Sequence, residues 1–178
     1  VQTCALPICG DLGAFDMYHL RSEVMVLDRS TIVEVTIREY LRLASGAGLD
    51  GAMDALTTVG LERRLASLPL GLDTLLGSSG YPLSVGETMA LKLTNALLVR
   101  PKLLLLGQLY DLLPPERLAA ALRVLKAQGT TVLLCTGRPE DLALDGFLYL
   151  GLTEQRRFAR LADLKAAYDR EDRDGAPA

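Results

Sequence analysis

Ser84 and Glu87 stand three residues apart in the stretch "LSVGE" (83–87), followed by an apolar run to about Val99. That spacing supports two chemistries. The S-x-x-E arrangement forms a capping box, in which each side chain satisfies a backbone N–H that the first helical turn leaves free. A helix start also offers unpaired N–H groups and a positive dipole end, which suit an anion such as a phosphate. Pro82 separates the stretch from what precedes it, and both readings stay open on these residues alone. Other nucleophile and metal chemistry has little to draw on. His19 is the only histidine, and Cys4, Cys9 and Cys135 form no zinc-ribbon or redox spacing. Their odd number fits a reduced, cytoplasmic setting. Cys135, inside the apolar "TTVLLC", is expected to be a buried filler rather than a nucleophile.

The elements that would carry this stretch follow from periodicity and punctuation. The segment "EVMVLD" (23–28) reads as a strand, and 36–44 as a helix with Ile37, Leu41 and Ala44 on one face. "SGAG" breaks the pattern, Asp50 is placed to cap the next helix, and Gly60 to close it. "LERRLASL" is a short helical piece ended by Pro69, and the Gly- and Pro-rich 69–82 is loop or irregular strand. Then the order becomes regular. A helix over 87–99 precedes a strand at 102–106, a helix at 114–128 and a strand at 130–135. A short helix at "RPEDLAL" and a third strand at 146–151 complete it. Apolar strands alternating with helices predict an α/β fold, a parallel sheet covered by helices on both faces. Ligands of such sheets lie beyond the carboxyl ends of the strands, here just after Leu106 and Cys135.

The whole chain bounds the function further. Its 178 residues are 49% hydrophobic and 23% charged, with net charge −3, and no dense basic run marks a nucleic-acid or anionic-surface partner. The longest apolar runs fall far short of the ~20 residues a membrane-spanning helix needs. Residues 1–8, "VQTCALPI", look like a translated sequencing adapter and are set aside as a non-native leader. The polar 169–178 is expected to be a mobile tail.

Laid side by side, the segments of 83–138 resemble the nucleotide-binding domain of ABC transporters, closest to the exporter type. "LSVGE" matches the family signature "LSGGQ", with Val85 in place of a glycine and Glu87 in place of the glutamine. "NALLVRPKLLLLGQ" (95–108) occupies the passage into the Walker B motif, with Gly107 at the aspartate position and Gln108 at that of the catalytic glutamate. "LYDLLPPE" fills the D-loop segment, with Pro114 at the family's aspartate. "TTVLLCTGR" matches the switch strand, with Gly137 where the family has histidine. Upstream, "VMVLDRSTIVEVTIREYL" is similar to the Q-loop passage, with Asp28 at the glutamine, and "LPLGLDTLLGSSGYPLS" follows the exporter approach to the signature.

The resemblance covers about 10–160 and implies a P-loop NTPase-like domain over 9–168. Residues 36–100 would form the α-helical signature subdomain, and 101–152 the strands and helices of the catalytic core. No G-x-x-x-x-G-K-[ST] occurs, so the phosphate-cradling loop and its strand would precede residue 1. A sheet so truncated is expected to leave an apolar face bare.

It also implies ATP as ligand, with Mg2+ in the family. The partners would be a second ABC ATPase domain, identical or not, and a transmembrane permease domain, at the cytoplasmic face of a membrane. Ser84 and Gly86 would meet the γ-phosphate of ATP held by the opposing domain. Gly107 offers no carboxylate to a magnesium's water shell, so this chain's own Mg2+ site is not expected to form. Gln108 cannot accept a proton, and Gly137 cannot steady a phosphate, so the chain's own hydrolytic site is expected to be degenerate. The alternatives are a non-hydrolysing pseudo-ATPase interaction module, or an unrelated α/β domain whose "LSVGE" is only a cap.

Overall fold

The computed structural model describes residues 16–45, 49, 51–150 and 155–174. The chain divides into two compact units, Val1–Thr136 and Gly137–Ala178. The leader at 1–8 and Asp50 lie outside the described residues.

The first unit is α/β. Helix α1 (Met17–Glu23) runs straight into β1 (Val24–Leu27), followed by α2 (Ile37–Ser45), α3 (Ala52–Val59), α4 (Glu62–Ala66) and α5 (Val85–Val99). Then come β2 (Leu103–Leu106), α6 (Pro115–Ala127) and β3 (Thr131–Leu134). The sheet order is β1-β2-β3, parallel throughout, with rows Leu27–Leu106–Leu134 and Val26–Leu105–Leu133 in register. Four consecutive leucines form β2 because a central strand needs apolar side chains toward both faces.

Helix α5 is the centre of this unit. Met89, Ala90, Leu91, Leu93, Ala96 and Leu97 are all buried, so the helix is apolar nearly all round, as a core helix must be. It packs against α2, α3 and β1, while α6 packs on β3. Together α5 and α6 cover the sheet face that holds Leu104 and Leu106. Each buried leucine contributes roughly 1.5–3 kcal/mol. Ile37 and Leu41 of α2 are fully buried, as their spacing predicts; the side chain of Ala44 is outside the description. Gly60 ends α3 at φ 80, a left-handed turn in which its N–H bonds the carbonyls of Leu56 and Thr57. At the other end of α3, Gly51 is the N-cap at φ 76.

Four expectations are corrected. Among the described residues helices cover only one face of the sheet: on the Val26–Leu105–Leu133 side Val26 is 57% and Leu133 45% exposed. Bonds to β2 leave from Thr131 and Cys135, so Val132 and Leu134 aim their N–H groups at an open edge. Cys135, just past that edge strand, is exposed rather than buried. The strand at 146–151 is not a member of the parallel sheet. As β4 (Phe147–Leu150) it pairs antiparallel with β5 (Gln155–Phe158) in the second unit. In the same unit the chain continues into α7 (Leu161–Asp174), so 169–174 of the expected tail are helical. Tyr168 of α7 meets Tyr149 of β4 edge-on at 5.1 Å, and Ala167 is buried, which packs the helix ahead of that stretch. "RPEDLAL" contributes only the 3-10 turn Pro139–Asp141.

Candidate functional site

The start of α5 lies at the surface, where Ser84 and Val85 are exposed. Ser84 is extended (φ −69, ψ 167) and forms the complete capping box. Its Oγ accepts from the Glu87 N–H at 3.2 Å, and Glu87 Oε2 accepts from the Ser84 N–H at 2.8 Å. The other carboxylate oxygen of Glu87 lies 3.2 Å from Arg64 Nε, and Arg64 also donates to the carbonyl of Pro82. Glu87 is thus turned back onto protein donors rather than outward. Behind the cap, Thr88 donates to the Ser84 carbonyl at 2.9 Å. Gly80, at φ 93, passes so close that a Cβ there would sit 2.1 Å from Thr88 Oγ1. Only glycine fits this turn.

Two amides remain. With Ser84 and Glu87 engaged in the box, the N–H groups of Val85 and Gly86 have no partner among the described residues. They are the orphan donors of the first turn, at the positive end of a 15-residue helix. The Val85 side chain, 44% exposed, stands beside them.

The exit of β2 lies close by. Gly107 leads into the 3-10 turn Gln108–Leu112, and a Cβ on Gly86 would be 3.6 Å from that of Leu112. So the capped helix start adjoins the turn that leaves β2. Gln108 is exposed. Asp111 Oδ1 accepts from Thr136 Oγ1 at 2.6 Å, which ties this turn to the end of β3. Gly107 is backed by the end of β1: its N–H bonds the Leu27 carbonyl, and a Cβ on it would lie 2.9 Å from Asp28 Cα. The Asp28 side chain is itself largely exposed and 3.8 Å from Arg29 Nε. Gly137 opens the second unit, next in sequence to Thr136.

These residues do not fit a magnesium centre. Position 107 carries no carboxylate and has no room for one beside Asp28, and Gln108 supplies only a neutral amide. Among the described residues no group of three or more His, Cys, Asp or Glu can hold a metal. What the arrangement offers is an exposed helix start with two N–H groups unpaired among the described residues. Tyr110, within the turn Gln108–Leu112, is fully buried with its hydroxyl unpartnered, and burial pushes its phenol pKa upward. Sequence reasoning passed over Arg64, Thr136 and Asp111 as participants, because each acts through a contact distant in the chain.

No family model matches the chain. It is 32% identical over 108 residues to the cyclolysin secretion/processing ATP-binding protein CyaB of Bordetella pertussis, covering 60% of this chain and 15% of that protein. Over 161 residues it is 29% identical to the uncharacterized ABC transporter ATP-binding protein YwjA of Bacillus subtilis, covering 85% and 28%. The ATP-dependent lipid A-core flippase of Aromatoleum aromaticum is 30% identical over 130 residues, covering 69% and 22%. Its homologues are ABC transporter ATP-binding proteins, exporters among them. The chain spans between 15% and 28% of the length of these three relatives. Among the described residues no helix is long and apolar enough to cross a membrane.

Proposed function

We infer that this chain is the carboxyl-terminal part of an ABC transporter nucleotide-binding domain whose own hydrolytic site is degenerate. It lends Ser84 and the amides of Val85 and Gly86 to ATP held by a second ABC ATPase domain. The observation that carries this reading is the exposed start of α5. There Ser84 is extended, two N–H groups are free, and the turn leaving β2 lies alongside. Such a helix end suits the γ-phosphate of a neighbour's nucleotide. Glu87 weakens the grip less than its charge suggests, because both its oxygens are engaged by Ser84 and Arg64.

On this chain's own side, Gly107 holds no metal ligand and Gln108 cannot take a proton from water. Loss of a general base typically costs ~10²–10⁴-fold in rate. The chain then serves as the weak half of an asymmetric pair, attached to a permease at the cytoplasmic face of a membrane. The phosphate-cradling loop and its strand belong to a preceding segment, and the open edge of β3 is free to receive a strand.

The test uses the full-length protein with its amino-terminal segment. It binds ATP but hydrolyses it slowly unless a competent partner is added. Fast magnesium-dependent hydrolysis by a homodimer overturns the degenerate-site reading. A second reading is favoured by one observation: Val85 and Leu112, 44% and 56% exposed, set apolar side chains at the same helix start. In it the chain is a pseudo-ATPase interaction module that binds no nucleotide. Titration with a fluorescent ATP analogue separates the two, since only the first predicts saturable binding.

A further inference from the structure

The loop between β1 and α2 is held to α5 at Lys92 and to the 75–78 segment further along. Lys92, eight residues past the cap, donates from Nζ to the carbonyl of Arg29 at 2.6 Å and to that of Thr31 at 3.1 Å. The Ile32 N–H bonds the Ser78 carbonyl at 3.0 Å, and the Ser78 N–H bonds Glu34 Oε1 at 3.2 Å. Thr36 then bridges Leu75. At the head of the loop, Asp28 lies against Gly107 so closely that position 107 admits no side chain.

Lys92 stands out on this helix. Its neighbours Leu91, Leu93 and Thr94 are buried, and partial burial lowers its own pKa despite nearby Asp28. A surface lysine keeps its ammonium in water, whereas this one spends two of its three donors on alternate carbonyls of one loop. Bonds from an ionised donor are roughly twice as strong as neutral ones. With the Ser78–Glu34 bond they are the charge-assisted ties on the loop, and the Arg29 contact is the shortest of them.

We propose that Lys92 is a positioning residue, a latch that holds the Asp28–Ile32 loop onto α5 and so keeps Asp28 against the exit of β2. The empty position at 107 and the latch are then one device: the loop occupies the space a side chain at 107 needs. The loop and the capped helix move as one piece, with no independent hinge after β1. This goes beyond the nucleotide reading and does not depend on it, because the predicted behaviour is read without nucleotide.

The experiment is amide hydrogen exchange on the full-length protein, following peptides that cover 29–33, with peptides of α5 as the control for folding. Lys92→Met keeps the stem and removes the donors; it speeds exchange at 29–33 by tenfold or more while α5 stays protected. Lys92→Arg, which retains donors for both carbonyls, restores protection to within about threefold of wild type. Gly107→Ala pushes on Asp28 and also speeds exchange at 29–33, but adds little on top of Lys92→Met, since the loop is already released. Unchanged exchange in Lys92→Met, failure of the arginine to restore it, or full additivity with Gly107→Ala overturns the proposal. Should Lys92→Met not fold, Lys92→Arg and Gly107→Ala carry the test. Then a loop loosened in the arginine variant, or tight in the alanine variant, is the overturning result.

Discussion

Replacing Ser84 by alanine tests whether the capping box holds the start of α5. The substitution removes the acceptor for the Glu87 N–H, a 3.2 Å bond, while the Ser84 N–H keeps its bond to Glu87. An N-cap serine typically contributes ~1 kcal/mol over alanine. For a chain of this size that corresponds to a fall of ~2–4 °C in Tm. Glu87→Gln is the companion change. Glutamine still serves in a capping box, so the bond to the Ser84 N–H survives in neutral form. The lost contributions are the attraction to Arg64 and to the helix dipole. With the two side chains about a third exposed, these are worth roughly 0.5 kcal/mol. Serine removal is therefore the costlier of the two, and Ser84→Thr is nearly neutral. Chemical denaturation, with the midpoints compared at constant m-value, measures all three. If Glu87→Gln costs more than Ser84→Ala, the helix start is held by the Arg64 ion pair and the capping argument fails. Under the nucleotide reading Glu87→Gln also tightens binding of the partner's ATP, so its effects on stability and affinity have opposite signs.

Other substitutions test the packing around the site. Gly80→Ala meets both a left-handed backbone and Thr88 Oγ1 at 2.1 Å, so it costs more than ~2 kcal/mol. Adding Thr88→Ala recovers part of that loss, which thermal unfolding of the single and double variants checks. Tyr110→Phe removes a buried, unpartnered hydroxyl and raises stability by up to ~1 kcal/mol in denaturant titrations. Acid stability depends on the paired carboxylates. Asp73 donates no proton but accepts two bonds from Arg38, which hold its pKa below the usual range; Glu39, bonded by Thr36, is lowered too. A depressed folded pKa gives stability that is present above the ordinary value and lost as pH falls through the folded one, here below about pH 4. Asp73→Asn flattens that acid limb of the stability profile, and a wild-type slope in this variant contradicts the assignment.

The legible parts of the sequence were those fixed by short-range chemistry. The S-x-x-E cap, the left-handed Gly60 and the four leucines of β2 state their roles within a few residues. Apolar composition misled where burial depends on what lies across the sheet. "TTVLLC" reads as buried because a complete sheet would bury it, yet β3 is an edge strand with Leu133 exposed. "GFLYLG" gave no sign of its true partner, since β5 is the polar run Gln155–Phe158, with no apolar alternation to pair by eye. Helix α7 extends through charged residues whose polar composition reads as a tail. At the site, residue types announced the missing carboxylate. The close approach of Asp28 to Gly107 and the reach of Lys92 to the β1–α2 loop are tertiary contacts that no local pattern encodes.

The exposed side of the parallel sheet has a consequence for any cell or test tube that holds this chain. Unpaired amides on β3, beside the row Val26–Leu105–Leu133, are a template on which another extended chain can add. A polypeptide released with that surface uncovered would be drawn into clumps or to chaperones. Covering it with a neighbouring strand and helix turns the same leucines from a hazard into a joint.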